Sequence, residues 1–377
     1  MKIAILIWRD MQNPKAGGSE VLFHEMAKRW VKSKHKVSWL CPKFPNSKNR
    51  ETIDGIDIVR KGNDHFVYFS AGLLFHKELK EADVIIDVEN GLPFFTPLFT
   101  KTPKVLHIHH VHKDVWAKET RFPISLMGCI LENKLMPLLY KKVPVVTPSH
   151  SSARDIVEGR LTKSEPIVIN PGVMIATTRR FQKTREPSIL FLNRIKKYKG
   201  IDTLLLAIKQ LKAENFTPTV FVAGKGDYLK QAESYAKSNN LSNVKFLGFV
   251  SEEKKAELLQ TSWLFVNPSF IEGWGIVNIE ANRFGTPVIG SNVSGIRDSV
   301  IDNKTGLLFH YGNHDELASK IRHLLEDNKE LSRMSEEARK WASCFSWERT
   351  SEEYLNVLES VCQNVPEDSS VRGRPLS

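Results

Sequence analysis

Two glutamates with seven residues between them, Glu272 and Glu280, stand in the string PSFIEGWGIVNIEANRFGTPVIGS over residues 268–291. Their types and spacing suit a ligand that carries both phosphate and hydroxyl groups. Glu272 falls in the loop after the apolar run WLFVN, and Gly273 and Gly275 leave room for a ligand to approach the backbone. A helix is expected to start near Trp274–Ile276, with its unpaired N–H groups facing the same place and favouring an anion. Glu280 lies about one turn into that helix and faces the ligand if Ile276, Val277 and Ile279 face the sheet. Amides then take phosphate, and the carboxylates accept from sugar and ribose hydroxyls. The plainer alternative is a Gly-rich turn followed by a helix carrying solvated acids.

Cations and glycines stand in matching places elsewhere. In FLNRIKKYKGIDTLL, residues 191–205, Arg194 follows an apolar run and Lys199-Gly200 opens a helical pattern. A guanidinium fork and a mobile ammonium there suit a diphosphate. Lys196 and Lys197 read as loop-surface charges, either of which could replace Lys199. In NPKAGGSEVLFHE, Gly17 and Gly18 lie between a strand and a helix, and Glu20 suits the helix N-terminus. The Gly224-Lys225-Gly226 turn is a weaker sign of the same kind. The run KVLHIHHVHKDVW, residues 104–116, holds His107, His109, His110 and His112. In a strand His107 and His109 share one face while His110 lies on the other. No nearby carboxylate or cysteine completes an evident ligand set, so no metal is expected there. Ser149 and Ser151 read as a helix N-cap, and Asp298 as a helix-surface acid. There is no Walker A motif and no Asp-x-Asp.

The elements that must position these residues alternate. KIAILIW, KVSWL, DVIID, KVLHIH, VPVVTPS and IVINPG read as buried strands separated by helical patterns such as SEVLFHEMAKRWVKS. A second set follows: SILFLN, TVFVAG, VKFLG, WLFVNPS, TPVIG and GLLF. Such alternation predicts parallel sheets with helices on both faces, hence two doubly wound α/β domains. Ligands bind such sheets at the carboxyl ends of their strands. The boundary is expected after Pro171-Gly172, giving domains over 1–172 and 173–345 with a linker in MIATTRRFQKTREP. From about Asp315 the pattern is helical only. A C-terminal helix is expected over 346–362, crossing back to the first domain, and a disordered tail over 363–377.

The E-x7-E string resembles the signature of family 4 of the retaining glycosyltransferases, which have the GT-B fold of two facing Rossmann-like domains. The likeness extends to about Val361. It implies a sugar transferred from a nucleoside-diphosphate-sugar, UDP- or GDP-linked, to an acceptor hydroxyl on a glycan or a lipid-linked molecule, with no metal and no cofactor. It implies that Glu272 contacts the transferred sugar, that Glu280 binds the ribose, and that Arg194 and Lys199 grip the diphosphate. Asn193 stands where the family pattern has glycine. Gly17 and Gly18 correspond to the N-terminal glycine loop, and Gly224, Gly273, Trp274 and Gly275 to donor-binding loops. A histidine near the sugar aligns best with His109 and second with His110. Two rival readings are a sugar-nucleotide epimerase and a non-catalytic binding protein on the same fold.

Composition sets the remaining expectations. The chain has 377 residues, enough for two domains, and 41% are hydrophobic. Its four cysteines are far apart, which argues against a zinc site or disulfide framework and fits a cytoplasmic protein. The short N-terminal apolar run reads as a strand rather than a signal peptide, and no run is long enough for a membrane span. The net charge is +11, and +8 of it falls in residues 1–172. No finger, helix-turn-helix or RNP signature points to nucleic acid. An anionic ligand or a peripheral anionic membrane surface fits the charge as well. RFPISLMGCILENKLMPLLYKK, residues 121–142, is apolar between basic ends and reads either as an interfacial segment or as a core helix.

Overall fold

The computed structural model describes residues 1–63, 67–112, 116, 122–173 and 179–364. Residues 174–178 of the expected linker and the expected tail from 365 onward lie outside the described residues.

Two sheets organise the chain. The first contains β1 (Lys2–Leu6), β2 (Lys36–Cys41), β3 (Arg50–Ile53), β4 (Ile56–Arg60), β5 (Val84–Glu89), β6 (Lys104–Ile108), β7 (Val145–Thr147) and β8 (Ile167–Val168). Their spatial order is β3-β4-β2-β1-β5-β6-β7-β8. The second contains β9 (Ser188–Leu192), β10 (Thr219–Ala223), β11 (Val244–Gly248), β12 (Leu264–Asn267), β13 (Val288–Ser291) and β14 (Gly306–Phe309), in the order β11-β10-β9-β12-β13-β14. Every pairing in the second sheet is parallel. The inner strands are apolar along their length because helices cover both faces; β1 and β5 are buried almost end to end.

One pairing departs from the all-parallel expectation. β3 and β4 form an antiparallel hairpin at the edge of the first sheet. Its turn is Asp54-Gly55, with φ of +50° and +81°. Positive φ at both central residues is the geometry that Asp-Gly favours in two-residue hairpins.

In each sheet the strand order reverses direction once, between β1 and β5 and between β9 and β12. Such reversals open crevices beyond the strand ends. The helix Trp347–Gln363 returns to the first sheet's core: Trp347, Tyr354 and Leu358 are buried with Ile3, Phe23 and Trp30. Trp30 Nε1 donates to the Ser351 carbonyl at 3.0 Å. The helix Trp347–Gln363 is therefore bound to the unit of the first sheet.

Candidate active site

The crevice between β9 and β12 holds a polar cluster centred on Glu272. Its Oε1 accepts hydrogen bonds from Lys199 Nζ at 2.6 Å, Ser269 Oγ at 3.1 Å and Asn193 Nδ2 at 3.3 Å. Burial opposes ionisation of Glu272, but the Lys199 charge and these donors outweigh it and hold the carboxyl below its ordinary range. Lys199 is 5% exposed and closes a short turn, Lys197–Lys199. The geometry chooses it over its neighbours. Lys196 lies 3.4 Å from Asp227, and Lys197 is exposed.

Arg194 is exposed at the same strand end. Its Cζ lies 3.8 Å from where a Cβ on Gly17 would be. The glycine loop after β1 and the cation after β9 thus face each other across the two units. A Cβ on Gly18 would likewise meet Ile276 at 3.7 Å. Glu20 is turned inward, and its Oε2 accepts from the Gly17 N–H at 2.6 Å, which closes the N-terminus of the helix Gly18–Lys32.

His109 sits just beyond β6. Its Nε2 is hydrogen-bonded with Ser19 Oγ at 2.7 Å and its Nδ1 with His107 Nε2 at 3.3 Å. His107 Nδ1 lies 3.3 Å from the Tyr354 hydroxyl. This chain ties the imidazole to the glycine loop, the strand and the C-terminal helix. Burial, then the neighbouring imidazoles, pushes the pKa of His109 well below the ordinary histidine range, so the ring is neutral. His110 is also shifted down, by burial first and then by His112 and Lys199.

Gly273 joins the two units directly. A Cβ there would stand 2.7 Å from the His109 carbonyl oxygen, a distance side chains do not tolerate. Around it, Ser152 Oγ donates to the Gly273 carbonyl at 3.3 Å, the Gly295 N–H donates to Ser151 Oγ at 2.7 Å, and the Ser151 N–H donates to Asp298 Oδ2 at 2.6 Å. Ser149 is the N-cap as expected, accepting from the Ser152 N–H at 3.2 Å. Ser151 and Asp298 differ from expectation: they fasten the two units instead of capping a helix and facing solvent.

Glu280 lies apart from the Glu272 cluster. Its Oε1 accepts from Lys255 Nζ at 2.9 Å, while Oε2 is buried without a hydrogen-bond partner. The helix Ile276–Arg283 begins after Gly275, whose φ is +75°. Its inner face is not the expected Ile276, Val277 and Ile279. Val277 and Ala281 pack toward the sheet, whereas Ile279 packs on Trp274 and Ala342. Asn278 is fully buried, accepting from Asn267 Nδ2 at 2.9 Å and donating to Ser299 Oγ at 2.8 Å. A polar residue takes the innermost place because it joins the end of β12 to the helix Ile296–Ser299 by hydrogen bonds. Trp274 also differs from its expected donor-binding role: its ring is 4% exposed and packs edge-on against Phe345, 5.2 Å between centroids. Gly224 abuts the Asn193 carbonyl, so the Gly-Lys-Gly turn supports the loop that carries Asn193 and Arg194.

Asn193 and Ser269 are functional candidates that the sequence reading passed over. The only signal was that Asn193 stands where glycine was expected, and it uses the added amide to reach Glu272.

The expectation about carboxylates near the histidines is corrected. His112 Nδ1 lies 3.1 Å from Glu89 Oε1, and Glu132 Oε1 accepts from the His112 N–H at 2.7 Å. Glu89, His112 and Glu132 offer ligand atoms that all lie within 4.8 Å of one another. They come from β5, from the loop after β6 and from a π turn, so no single run of sequence contains them. Burial and the nearby Glu89 push the Glu132 carboxyl up to about 7.

Residues 16–176 match the family described as Glycosyltransferase Family 4, and residues 176–341 match Glycosyl transferases group 1. An uncharacterized glycosyltransferase of Methanocaldococcus jannaschii is 32% identical over 172 residues, 46% of this chain and 48% of that protein. The match thus spans about half the length of that relative. The fold is that of sucrose-phosphate synthase from Thermosynechococcus elongatus, with a TM-score of 0.80 and 18% identity over 97% of this chain and all of that one. A HepE structure from Anabaena, solved in complex with UDP and glucose, is similar at a TM-score of 0.71 and 19% identity, covering 96% of this chain and all of that one.

Proposed function

The chain belongs to the family-4-like glycosyltransferases, and from that premise we propose that it moves a sugar from a nucleoside-diphosphate donor to an acceptor hydroxyl with retention of configuration. The observation that carries the reading is the Glu272 cluster. A buried carboxylate, already neutralised by Lys199, lies on the same unit as the exposed Arg194, which faces the glycine loop across the cleft. The diphosphate lies against Gly17, Gly18 and Arg194, with Lys199 beside it. The ribose hydroxyls go to Glu280, whose Oε2 has no partner of its own. The sugar lies between Glu272 and neutral His109. In the transfer step the bond from the anomeric carbon to phosphate breaks, and the acceptor oxygen bonds to that carbon from the same face. The acceptor proton passes to the departing phosphate oxygen. Arg194 and Lys199 stabilise the charge that develops there, so the donor cleft needs no metal. UDP is the first base to test, given the HepE complex. A panel of UDP-, GDP- and ADP-sugars, read by thermal stabilisation, checks the donor; ligand at about 100 Kd adds roughly 2.7 kcal/mol. No stabilisation by any of them overturns the reading. Conversion of donor alone to an epimer selects the epimerase instead.

The acceptor is lipid-linked or lies at an anionic membrane surface. In 122–142 the side chains of Phe122, Ile124, Leu126, Met127 and Leu138 are more than half exposed, and Lys134, Lys141 and Lys142 are exposed among them. Met136 and Tyr140 are buried, so the segment is held by its C-terminal half and presents its N-terminal half. Apolar side chains with flanking lysines suit an anionic interface. Among the described residues no helix is long and apolar enough to cross a membrane. Sedimentation with anionic vesicles tests this. Binding falls with salt and weakens in Lys141→Glu/Lys142→Glu, and indifference to such vesicles at low salt sends the search to acceptors free in solution.

A further inference from the structure

We propose that Glu89, His112 and Glu132 form a binding site for one divalent transition-metal ion, Zn²⁺ or Mn²⁺, separate from the donor cleft. Glu89 and Glu132 are 0% and 1% exposed. Both carboxylate oxygens of Glu89 are buried and accept no hydrogen bond, and His112 Nδ1 is likewise buried without one. Yet Nδ1 stands 3.1 Å from Glu89 Oε1. The two atoms are close enough to pair when the ring is protonated, and Glu132 offers an oxygen within 4.8 Å of both, so a cation entering here would replace that proton. Ligands on one ion at about 2.1 Å stand roughly 3.0 Å apart in octahedral and roughly 3.4 Å in tetrahedral geometry, and this spacing falls between them. Buried polar atoms without partners are rare in folded chains, and buried charges are paired or coordinate metals.

The surroundings hold the third ligand in place. Glu132 sits in the π turn Leu131–Leu135, which interrupts the helical register at that residue. Its Oε1 accepts from the His112 N–H at 2.7 Å and its Oε2 from Trp116 Nε1 at 3.0 Å, leaving a lone pair on each oxygen. Outer hydrogen bonds of this kind fix ligating carboxylates. Trp116 packs closely between Gly91 and Gly128, which gives it no freedom to withdraw. One imidazole with two carboxylates suits Zn²⁺ or Mn²⁺ better than Ca²⁺ or Mg²⁺. Glu89 ends β5 at the reversal point of the first sheet, so a bound ion ties that strand end to the histidine loop bearing His109.

The test uses the full chain, stripped with EDTA, dialysed, and loaded separately with ZnCl₂ or MnCl₂. After gel filtration, metal content and melting temperature are measured. About one ion per chain, with a rise of a few degrees, is expected for one or both metals. Retention of neither overturns the site. Glu89→Gln keeps the volume and removes the charge, and it loses the bound equivalent while circular dichroism is unchanged; an undiminished equivalent in the folded variant also overturns the site. Should that variant not fold, His112→Gln carries the same comparison. Nucleoside-diphosphate affinity, read by calorimetry, is the same with and without the ion. Metal retained only when the nucleotide is present assigns the ion to the donor phosphates and overturns the proposal.

Discussion

Two buried carboxylate clusters stand at the two sheet-reversal points, and they differ in how their charge is met. Glu272, beyond β12, has three donors on one oxygen, one of them an ammonium at 2.6 Å. Glu89, at the end of β5, has no hydrogen bond, and its neighbour Glu132 is also an acid. The first cluster is complete within the protein: its geometry is fixed before any ligand arrives, and its charge is balanced without one. The second sets one imidazole, His112 at 3.1 Å from Glu89, against two carboxylates, and a bound cation would complete its balance. A satisfied buried carboxylate marks a preorganised site, whereas an unsatisfied one marks a place whose ligand has yet to be named.

The largest effects test the first cluster. Arg194→Ala and Lys199→Ala should each lower turnover by about 10²–10³-fold, the usual loss for one charged donor at a developing anion. The comparison sharpens through stability. Arg194 is exposed, so its loss should leave the melting temperature unchanged. Lys199→Ala strands Glu272 without its cation, which in buried pairs costs about 3–5 kcal/mol. Lys199→Ala combined with Glu272→Gln should recover much of that stability and none of the turnover. Equal melting temperatures for both single variants would break the contrast.

Next come the two acids of the E-x7-E string. Glu280→Ala should weaken free nucleoside diphosphate by about tenfold, equivalent to about 1.4 kcal/mol. Glu272→Ala should leave that affinity unchanged or slightly stronger, because it frees Lys199 for phosphate, while sugar transfer collapses. Calorimetry with the diphosphate decides, and equal losses in the two variants would refute the division.

How legible these sites were in the sequence follows from how local they are. Arg194, Lys199, Glu272 and Glu280 each stand in a short motif after an apolar strand, so type and spacing gave their positions. The two sheets were legible for the same reason, since strands buried on both faces read as apolar runs. The β3–β4 hairpin was missed although Asp54-Gly55 signals it, because helical crossovers dominated the pattern. Glu89, His112 and Glu132 had no such signal. They lie 23 and 20 positions apart on three elements, and only the π turn brings Glu132 inward. Ser151 and Asp298 met across the two units for a similar reason, being 147 positions apart. Trp274 shows the converse error: a motif position was read as a ligand contact when its ring belongs to the core.

The smallest effect concerns the ring behind His109. His107 is fully buried between Tyr354 and His109, both neutral groups, and burial lowers its pKa to about 3. The unfolded chain binds a proton there near the ordinary value of about 6.5. Between these two values the unfolded state holds more protons, so stability rises with pH. The contribution is complete above about pH 6.5 and is lost as the pH falls from there toward 3. One such site gives a slope of at most about 1.4 kcal/mol per pH unit. Urea unfolding at pH 6 and pH 5 measures it directly. His107→Gln keeps a polar side chain in the core but cannot titrate, so its stability should fall less between the two pH values than that of the wild type. Glu272 is held below its ordinary range and stays ionised through this window, so its own contribution should not change between pH 6 and 5. An identical slope in His107→Gln would mean that the ring takes up its proton without leaving the fold, and the neutral relay to His109 would then have to be abandoned.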